Sequence, residues 1–538
     1  MRLGIDFGTT RIVVAAADRG NYPLVSFDGP DGQTRDWLPP LIAVSEEGRR
    51  FAWDAWSVLG NPKWTVIRSV KRLLKQAGPN TELTVGNSKF TIAELVTELL
   101  LALRRQLRKQ STLEIERGEP LEVMIGVPAN ANSNQRFLTA EAFRAAGFQV
   151  LGILNEPSAA SVEFGHRSMS SASGRKSLEG RSLLVYDLGG GTFDASLVEI
   201  EDNIHTIVAT AGIADLGGDD FDEILADLAM EAAGIGRETR QALSAAQWFQ
   251  LCEECRERKE ALNPNTRKIV IDLERVEPGW GEVSLAVGDF YERCRPLIER
   301  TEAVVDGLLA GPGEDSSLEA LYVTGGGSEL PAVSRILREN FGKRVRRSQY
   351  MRSATAIGLA ISADDRSTYV VKDRLARYFG VWREADHGAS VAFDLLFPRG
   401  LELPRAGSGP IRASRAYVPA HNVGHFRYVE CSGLGPDGQP SGDLTVWDDI
   451  RFPFDPELRE VEDLQPIAVS RNPALGDQMV EEEYTCDVNG MMKVAITNRI
   501  AGYRREYALG RWSAKAAGVT ASAAPAKRNW SRHRRESR

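Results

Sequence analysis

The spacing of apolar residues changes character along this chain. Up to about residue 362, short fully apolar runs alternate with stretches of helical period; past Tyr369 that period fades and short alternating runs replace it. The first part opens with Leu3-Gly4-Ile5-Asp6, a Gly8-Thr9-Thr10 turn and a second apolar run at 12–15, which predicts two strands joined tightly. There follow a strand at 41–44, a helix at 64–74, a helix at 92–108, a buried strand at 121–128 and a helix at 134–146 that Gly147 would end. Residues 166–182, rich in Ser, Gly, Arg and Lys, read as a surface loop. Next comes an apolar run ending at Asp187, a turn of Gly189, Gly190, Gly191 and Thr192, and a strand from Phe193. A third glycine turn, Gly217-Gly218, leads into a helix. A fourth, Gly325-Gly326-Gly327-Ser328, follows a strand, and a helix runs from Ala354 to about Ser362. The later runs at 391–397 and 493–497 are strand-like and separated by turns such as Gly435-Pro436-Asp437-Gly438. The pattern predicts an α/β part followed by an all-β part.

The same hairpin is written twice. Each copy is an apolar strand ending in Asp, a turn without bulky Cβ groups, and a second strand. Such a turn lets backbone amides approach phosphate oxygens, and a strand-end carboxylate suits hydrated Mg²⁺. One such turn is weak evidence; two, a lobe's length apart, predict a clamp that holds a nucleoside triphosphate from both sides. The 538 residues imply two to four domains. A net charge of −8 argues against a nucleic-acid-binding body. No run is apolar enough for a bilayer, the first strand leaves no room for a signal peptide, and five cysteines without a framework fit a reducing cytoplasm. Cys252 and Cys255 lack the further ligands zinc needs and read as two thiols on one helical face. The basic tail at 527–538, behind a low-complexity stretch, reads as disordered and offers the one place for an anionic partner such as nucleic acid.

Taken in order, these motifs resemble the ATPase domain of DnaK-type heat-shock (70 kDa) chaperones, within the actin and sugar-kinase superfamily. The carriers are Asp6-Phe7-Gly8-Thr9-Thr10, Val127-Pro128-Ala129 with Gln135-Arg136, Asn155-Glu156-Pro157-Ser158-Ala159-Ala160, Asp187-Leu188-Gly189-Gly190-Gly191-Thr192-Phe193-Asp194, and Gly325-Gly326. Asn61-Pro62 before Val70-Lys71-Arg72-Leu73 resembles the stretch with the family's catalytic lysine. Phe397–Pro404 and the Asp487-Val488-Asn489-Gly490 turn resemble the family's β domain more distantly. The resemblance implies a two-lobed actin-like (RNase H-like) domain at 1–363, with lobe one at about 1–182 and 345–363 and lobe two at about 183–344. It further implies a linker at 364–378, a sandwich-like β domain at 379–512 and a tail at 513–538, with no helical lid. It implies ATP or ADP with Mg²⁺ as cofactors, K⁺ being a further candidate. Asp6 and Asp187 would hold the Mg²⁺ through water. Lys71, Glu156, Asp187 and Thr192 would carry slow hydrolysis. Gly8, Thr9, Thr10, Gly189, Gly190, Gly191, Gly217, Gly218, Lys259, Gly325, Gly326 and Ser328 would bind nucleotide, and Pro128 and Arg136 would relay its state.

The departures are as informative. Glu329 stands where relatives stack an arginine on adenine, and Arg256 where they carry a glutamate. Arg352-Ser353 replace an acidic pair, and Gly152 replaces an arginine that contacts the J-domain co-chaperone, which counts against that partner. In the linker, Arg374 and Arg377 interrupt an apolar run and are expected to resist docking into an apolar groove. Cys255 falls where some relatives carry a modifiable cysteine; by packing alone it is a small buried residue. The expected function is an ATP-dependent, cytoplasmic chaperone binding unfolded polypeptide or one dedicated partner, with a nucleotide-exchange factor as a further partner. The alternatives are a nucleotide-gated scaffold with little turnover, a small-molecule kinase of the same superfamily, and, least of all, a filament.

Overall fold

Two sheets repeat one plan. In lobe one, the strand Arg2–Phe7 pairs antiparallel with Ile12–Ala16 and parallel with Glu122–Val127, and Gln149–Asn155 lies outside the last. In lobe two, Arg181–Leu188 pairs antiparallel with Phe193–Glu201 and parallel with Leu318–Thr324; Ile204–Ile213 and Val345–Arg347 extend it. This is a computed structural model. It describes residues 1–509 apart from 76, 79–80, 86–87, 170–180, 311–317, 386–388 and 406, together with Val519–Thr520. Most of the expected disordered tail lies outside the described residues; Val519 and Thr520 pair with Leu83 and Thr84.

The strands of both hairpins are apolar on both faces because helices cover each side. The helices Glu156–Met169 and Ala354–Ala363 run between the sheets. Their contact depends on the missing side chain of Gly358: a Cβ there would lie 1.8 Å from the Ala159 carbonyl oxygen. Gly358→Ala must therefore force the two helices apart, at a cost of about 3 kcal/mol, the upper end for an overpacked core. Urea unfolding of the variant, read by far-UV circular dichroism, is expected to show a lower midpoint with an unchanged slope.

Two local expectations are corrected. The stretch 64–74 is not one helix: Thr65–Ile67 is a strand paired with Ile42–Val44, and only Val70–Leu73 is helical. Ser69 takes a left-handed φ of 55° between them. Its hydroxyl donates to Asp219 at 2.8 Å, and Arg68 pairs with Asp219 and Glu253. Partners in the other lobe thus outweigh local helical spacing. Of the surface loop expected at 166–182, the residues to Met169 continue the preceding helix, Arg181 and Ser182 open the next strand, and 170–180 lie outside the described residues.

Beyond the lobes, two antiparallel four-stranded sheets pack face to face. One runs Ser390–Phe397, Tyr378–Ala385, Val423–Leu434, Pro440–Pro453; the other Ile411–Tyr417, Val480–Cys486, Met492–Asn498, Tyr503–Leu509. Phe379, Val381, Tyr428, Tyr484, Val494 and Ile496 form their shared core. Within it Glu482 is fully buried, gripped by both Arg383 terminal nitrogens at 3.1 and 2.6 Å.

The linker is built into the first domain. Val370–Lys372 adds a parallel strand beside Ile204–Thr206, the edge of lobe two's sheet. Behind it, Arg377 meets charged partners in place of an apolar groove. Arg377 is buried, but among acids: its Nη1 lies 3.2 Å from Asp443 Oδ2, its Nη2 donates to the Asp443 carbonyl at 2.7 Å, and its Nε faces Glu430 at 3.6 Å. Anionic partners meet the desolvation cost that an apolar groove would have imposed. Glu430 in turn accepts from the Ser133 amide at 3.0 Å at the start of the helix Ser133–Ala145, and Asp443 pairs with Lys75 at 3.1 Å. The β domain is thereby latched to lobe one.

Candidate functional site

The two glycine turns face each other across a cleft of about 100 Å³. Asp6, Gly8, Thr9 and Thr10 line it from lobe one, and Asp187, Gly189, Gly190 and Thr192 from lobe two. The turns nest so closely that a Cβ on Gly190 would meet Thr10 Cγ2 at 2.6 Å. The third glycine turn braces the second: the Gly218 amide donates to Gly189 O at 2.9 Å and the Asp219 amide to Gly190 O at 2.7 Å. Gly325 sits at φ 88°, and a Cβ there would lie 2.4 Å from Asp187 Oδ1, so the fourth turn needs glycine both for its backbone and for its approach.

At the inner end Lys71 is buried with its Nζ on Glu156 Oε1. Burial pulls the pKa of Lys71 down, but the carboxylates of Glu156 and Asp6 outweigh it and hold the amine protonated. One lysine does not balance the acids around it. Burial, then Glu156, pushes Asp6 up; burial, then Glu156 and Asp6, pushes Asp187 well up. Asp194 rises from 3.8 to about 7, by burial and then Glu156. Among the described residues, no group of three or more His, Cys, Asp or Glu converges to grip a bare metal ion. The donor set is instead what a hydrated divalent cation needs: buried carboxylates short of positive charge. A carboxyl with a raised folded-state pKa stabilises the fold while protonated, and that contribution fades as pH climbs from the unfolded value. Without a divalent cation the melting temperature is therefore expected to fall between pH 4 and 7, and added Mg²⁺ to restore more of it at pH 7 than at pH 5. Thermal melts in chelator and in Mg²⁺ across that range test it.

The outer end is ionic. Arg11 Nη2 bonds Glu260 Oε2 at 2.6 Å; Arg352 bonds the same oxygen through Nη1 at 2.9 Å and Glu329 Oε2 through Nε at 2.7 Å. This chain of four charges crosses from the first hairpin to lobe two. Above it an apolar cluster bridges the lobes: Leu41, Ala43, Ala55, Val58 and Trp64 pack on Phe249 of the helix Ala245–Glu260.

Of the residues singled out by sequence, most line this cleft, including Lys71, Glu156, Gly218, Lys259, Gly325 and Gly326. Lys259 is held by Gly218 O at 2.5 Å and Asp222 at 2.7 Å. Three of the expected nucleotide-binding residues lie off its wall: Ser328 is buried with its hydroxyl on Thr324 O, Gly191 offers its carbonyl to Arg72, and Gly217 backs on to Gly190. Arg136 lies deeper, bonded to Asn155, whose side-chain nitrogen donates to Asp373 of the linker at 2.8 Å; Pro128 ends the strand before it. Cys252 and Cys255 are buried in lobe two's helix, where burial pushes both thiols up and leaves them unreactive. Sequence reasoning missed the roles of Arg11 and Glu260, which carry no motif. Asp194 stood inside a quoted motif and passed unassigned; a second acid directly after the turn was the available signal.

Paired glycine hairpins across a cleft between two sheets of the same plan define a two-lobed, actin-like nucleotide-binding protein with a β-rich C-terminal region. Residues 2–373 match the family model described as Hsp70 protein, and the chain belongs to the Hsp70 family. Membership brings that family's general character: an ATP-binding ATPase of the chaperone type that uses Mg²⁺ and binds unfolded polypeptide. No helix among the described residues is long and apolar enough to cross a membrane.

Proposed function

We propose that this chain hydrolyses its bound nucleotide slowly, ATP being the family's nucleotide, and uses the nucleotide's state to govern how its β domain holds unfolded polypeptide or a dedicated partner. The observation that carries this reading is the Lys71–Glu156 pair placed between the two hairpins and, through Asn155, against Asp373 of the linker. Amides of Gly8, Thr9, Thr10, Gly189 and Gly190 cradle the phosphates, while Gly325, Gly326 and Lys259 flank the nucleoside. Asp6 and Asp187 would hold Mg²⁺, and that ion would supply positive charge against the phosphates. Lys71 faces the terminal phosphate, Thr192 sits beside it, and Glu156 and Asp187 orient the attacking water. Catalysis of this kind works by position and charge rather than by covalent chemistry. Glu156 spends one oxygen on Lys71, so it orients water more than it deprotonates it, and turnover is slow.

Asp373, Asn155 and Arg136 form the physical route from that pair to the linker, with Pro128 at its edge. Gly152 supports a departure from J-domain partnership, because the Asn489 turn of the β domain covers it: Asn489 Oδ1 accepts from the neighbouring Ile153 amide at 3.0 Å. The ionic latch at Arg377 favours a second reading, a nucleotide-gated scaffold whose β domain stays docked. Single-turnover hydrolysis with and without an unfolded polypeptide decides between them. Acceleration supports the chaperone; a rate indifferent to polypeptide supports the scaffold; nucleotide bound without turnover removes the ATPase.

A further inference from the structure

The helix Ile92–Lys109 turns one face into lobe one, where Leu95, Leu99, Leu103 and Leu107 are buried. The opposite face of such a helix is ordinarily polar throughout, yet Leu101 stands in the middle of it, 38% exposed. Arg104, Arg105 and Arg108 follow that leucine by three, four and seven residues, which sets them on its side of the helix. Phe51, at the end of the strand Gly48–Phe51, comes alongside. With Lys109 these residues line a groove of about 460 Å³, and none of them lines the nucleotide cleft.

Helix electrostatics explain only part of this arrangement. Arg108 and Lys109 complement the negative end of the helix dipole, and Arg108 also donates to the carbonyls of Glu116 at 3.3 Å and Glu119 at 2.5 Å. That leaves Arg104 and Arg105, which stand nearly a turn earlier, and the exposed leucine. Glu98, the one acid among the described lining residues, is already paired with Arg49 at 2.8 Å. Arg104, Arg105 and Lys109 have no ion pair among the described residues, and the Arg104 Nε is buried without a hydrogen-bond partner. On a chain of net charge −8, cations gathered around an apolar floor form a surface opposite in sign to the whole.

We infer that this groove docks an acidic polypeptide segment of a partner protein. The segment seats an aliphatic side chain on Leu101 and Phe51 and turns carboxylates toward Arg104, Arg105 and Lys109. Charge complementarity brings such a segment in and sets its register. Exposed ion pairs alone hold little, so the apolar floor supplies much of the grip. A nucleic acid fits less well: its sugar–phosphate chain would leave Leu101 and Phe51 without an apolar partner and would run into Glu98.

Fluorescence anisotropy of the full chain with a fluorescein-labelled dodecapeptide of repeating Glu-Glu-Leu tests the inference. The wild type is expected to bind it, and less tightly as salt rises. A Glu-Glu-Ser peptide of equal charge is expected to bind about fivefold more weakly, the worth of burying part of a leucine. Arg105→Glu is expected to weaken the Glu-Glu-Leu peptide about tenfold, by placing like charge against it, and Leu101→Ser about fivefold. Both side chains are exposed, so both variants keep the wild-type melting temperature. The β domain is itself proposed to hold polypeptide; binding that ignores both substitutions therefore belongs there and overturns the inference. Absence of binding to the wild type overturns it as well. A single-stranded dodecanucleotide that displaces the peptide with equal affinity overturns the choice of a polypeptide partner and makes the groove a general polyanion site.

Discussion

Lys71→Ala is expected to bind nucleotide and lose its hydrolysis at least a hundredfold, the scale set by removing one preorganised charge from a transition state. The lysine's protonation is secured by Glu156 and Asp6, so at neutral pH it offers a full positive charge where the terminal phosphate gathers negative charge. Removing it also leaves Glu156 buried without its cation. A broken buried pair commonly costs about 3–5 kcal/mol, so some loss of melting temperature accompanies the loss of turnover. Nucleotide with Mg²⁺ should repair the melting temperature by mass action while leaving hydrolysis absent. Lys71→Arg keeps the charge but not the reach, and is expected to keep the fold without recovering the rate. The check is single-turnover product formation beside a binding isotherm for each variant. Wild-type-like turnover in Lys71→Ala would remove the lysine from the chemistry.

Arg377→Glu is expected to release the β domain from lobe one. The new carboxylate would sit between Glu430 and Asp443, replacing attraction to both with repulsion in a buried place. Loss of about 3–5 kcal/mol from the docked arrangement follows from uncompensated buried charge. Small-angle scattering should show a larger radius of gyration, and hydrogen exchange should quicken at the Ser133 amide, which Glu430 holds at 3.0 Å. The linker strand at Val370–Lys372 should loosen with it. Each domain keeps its own core, so once released each is expected to unfold as its own cooperative unit. Hydrolysis that rises in this variant would mean the docked β domain restrains the engine; hydrolysis unchanged would mean the latch holds position only.

Much of the inner end of the cleft was legible in the sequence because its pattern is local. A strand, an acid and a glycine turn follow one another within ten residues, and backbone amides need no distant partner to be useful. Glu156 was legible from its place after Asn155, and Lys71 only from its neighbours, since a lone lysine reads as solvated. The outer end was not legible. Arg11, Glu260, Glu329 and Arg352 come from four separate segments, and only the fold joins them. The place of Arg377 was not legible for a related reason: its charge was visible, but its acid Asp443 lies 66 residues further on, in a strand whose register no local pattern specifies. The helix expected at 64–74 failed similarly, because Arg68 and Ser69 answer to Asp219 in the other lobe. Ser328 shows the converse. Its motif was right in kind, but its hydroxyl turns inward to its own backbone.

The apolar bridge from Trp64 to Phe249 joins the lobes with surface that water avoids, whereas the β domain is fastened by charge. The two fastenings therefore answer to different variables. Cooling is expected to weaken the apolar bridge, whereas salt is expected to screen the partly exposed Lys75–Asp443 pair and to leave the buried Arg377–Glu430 pair largely untouched.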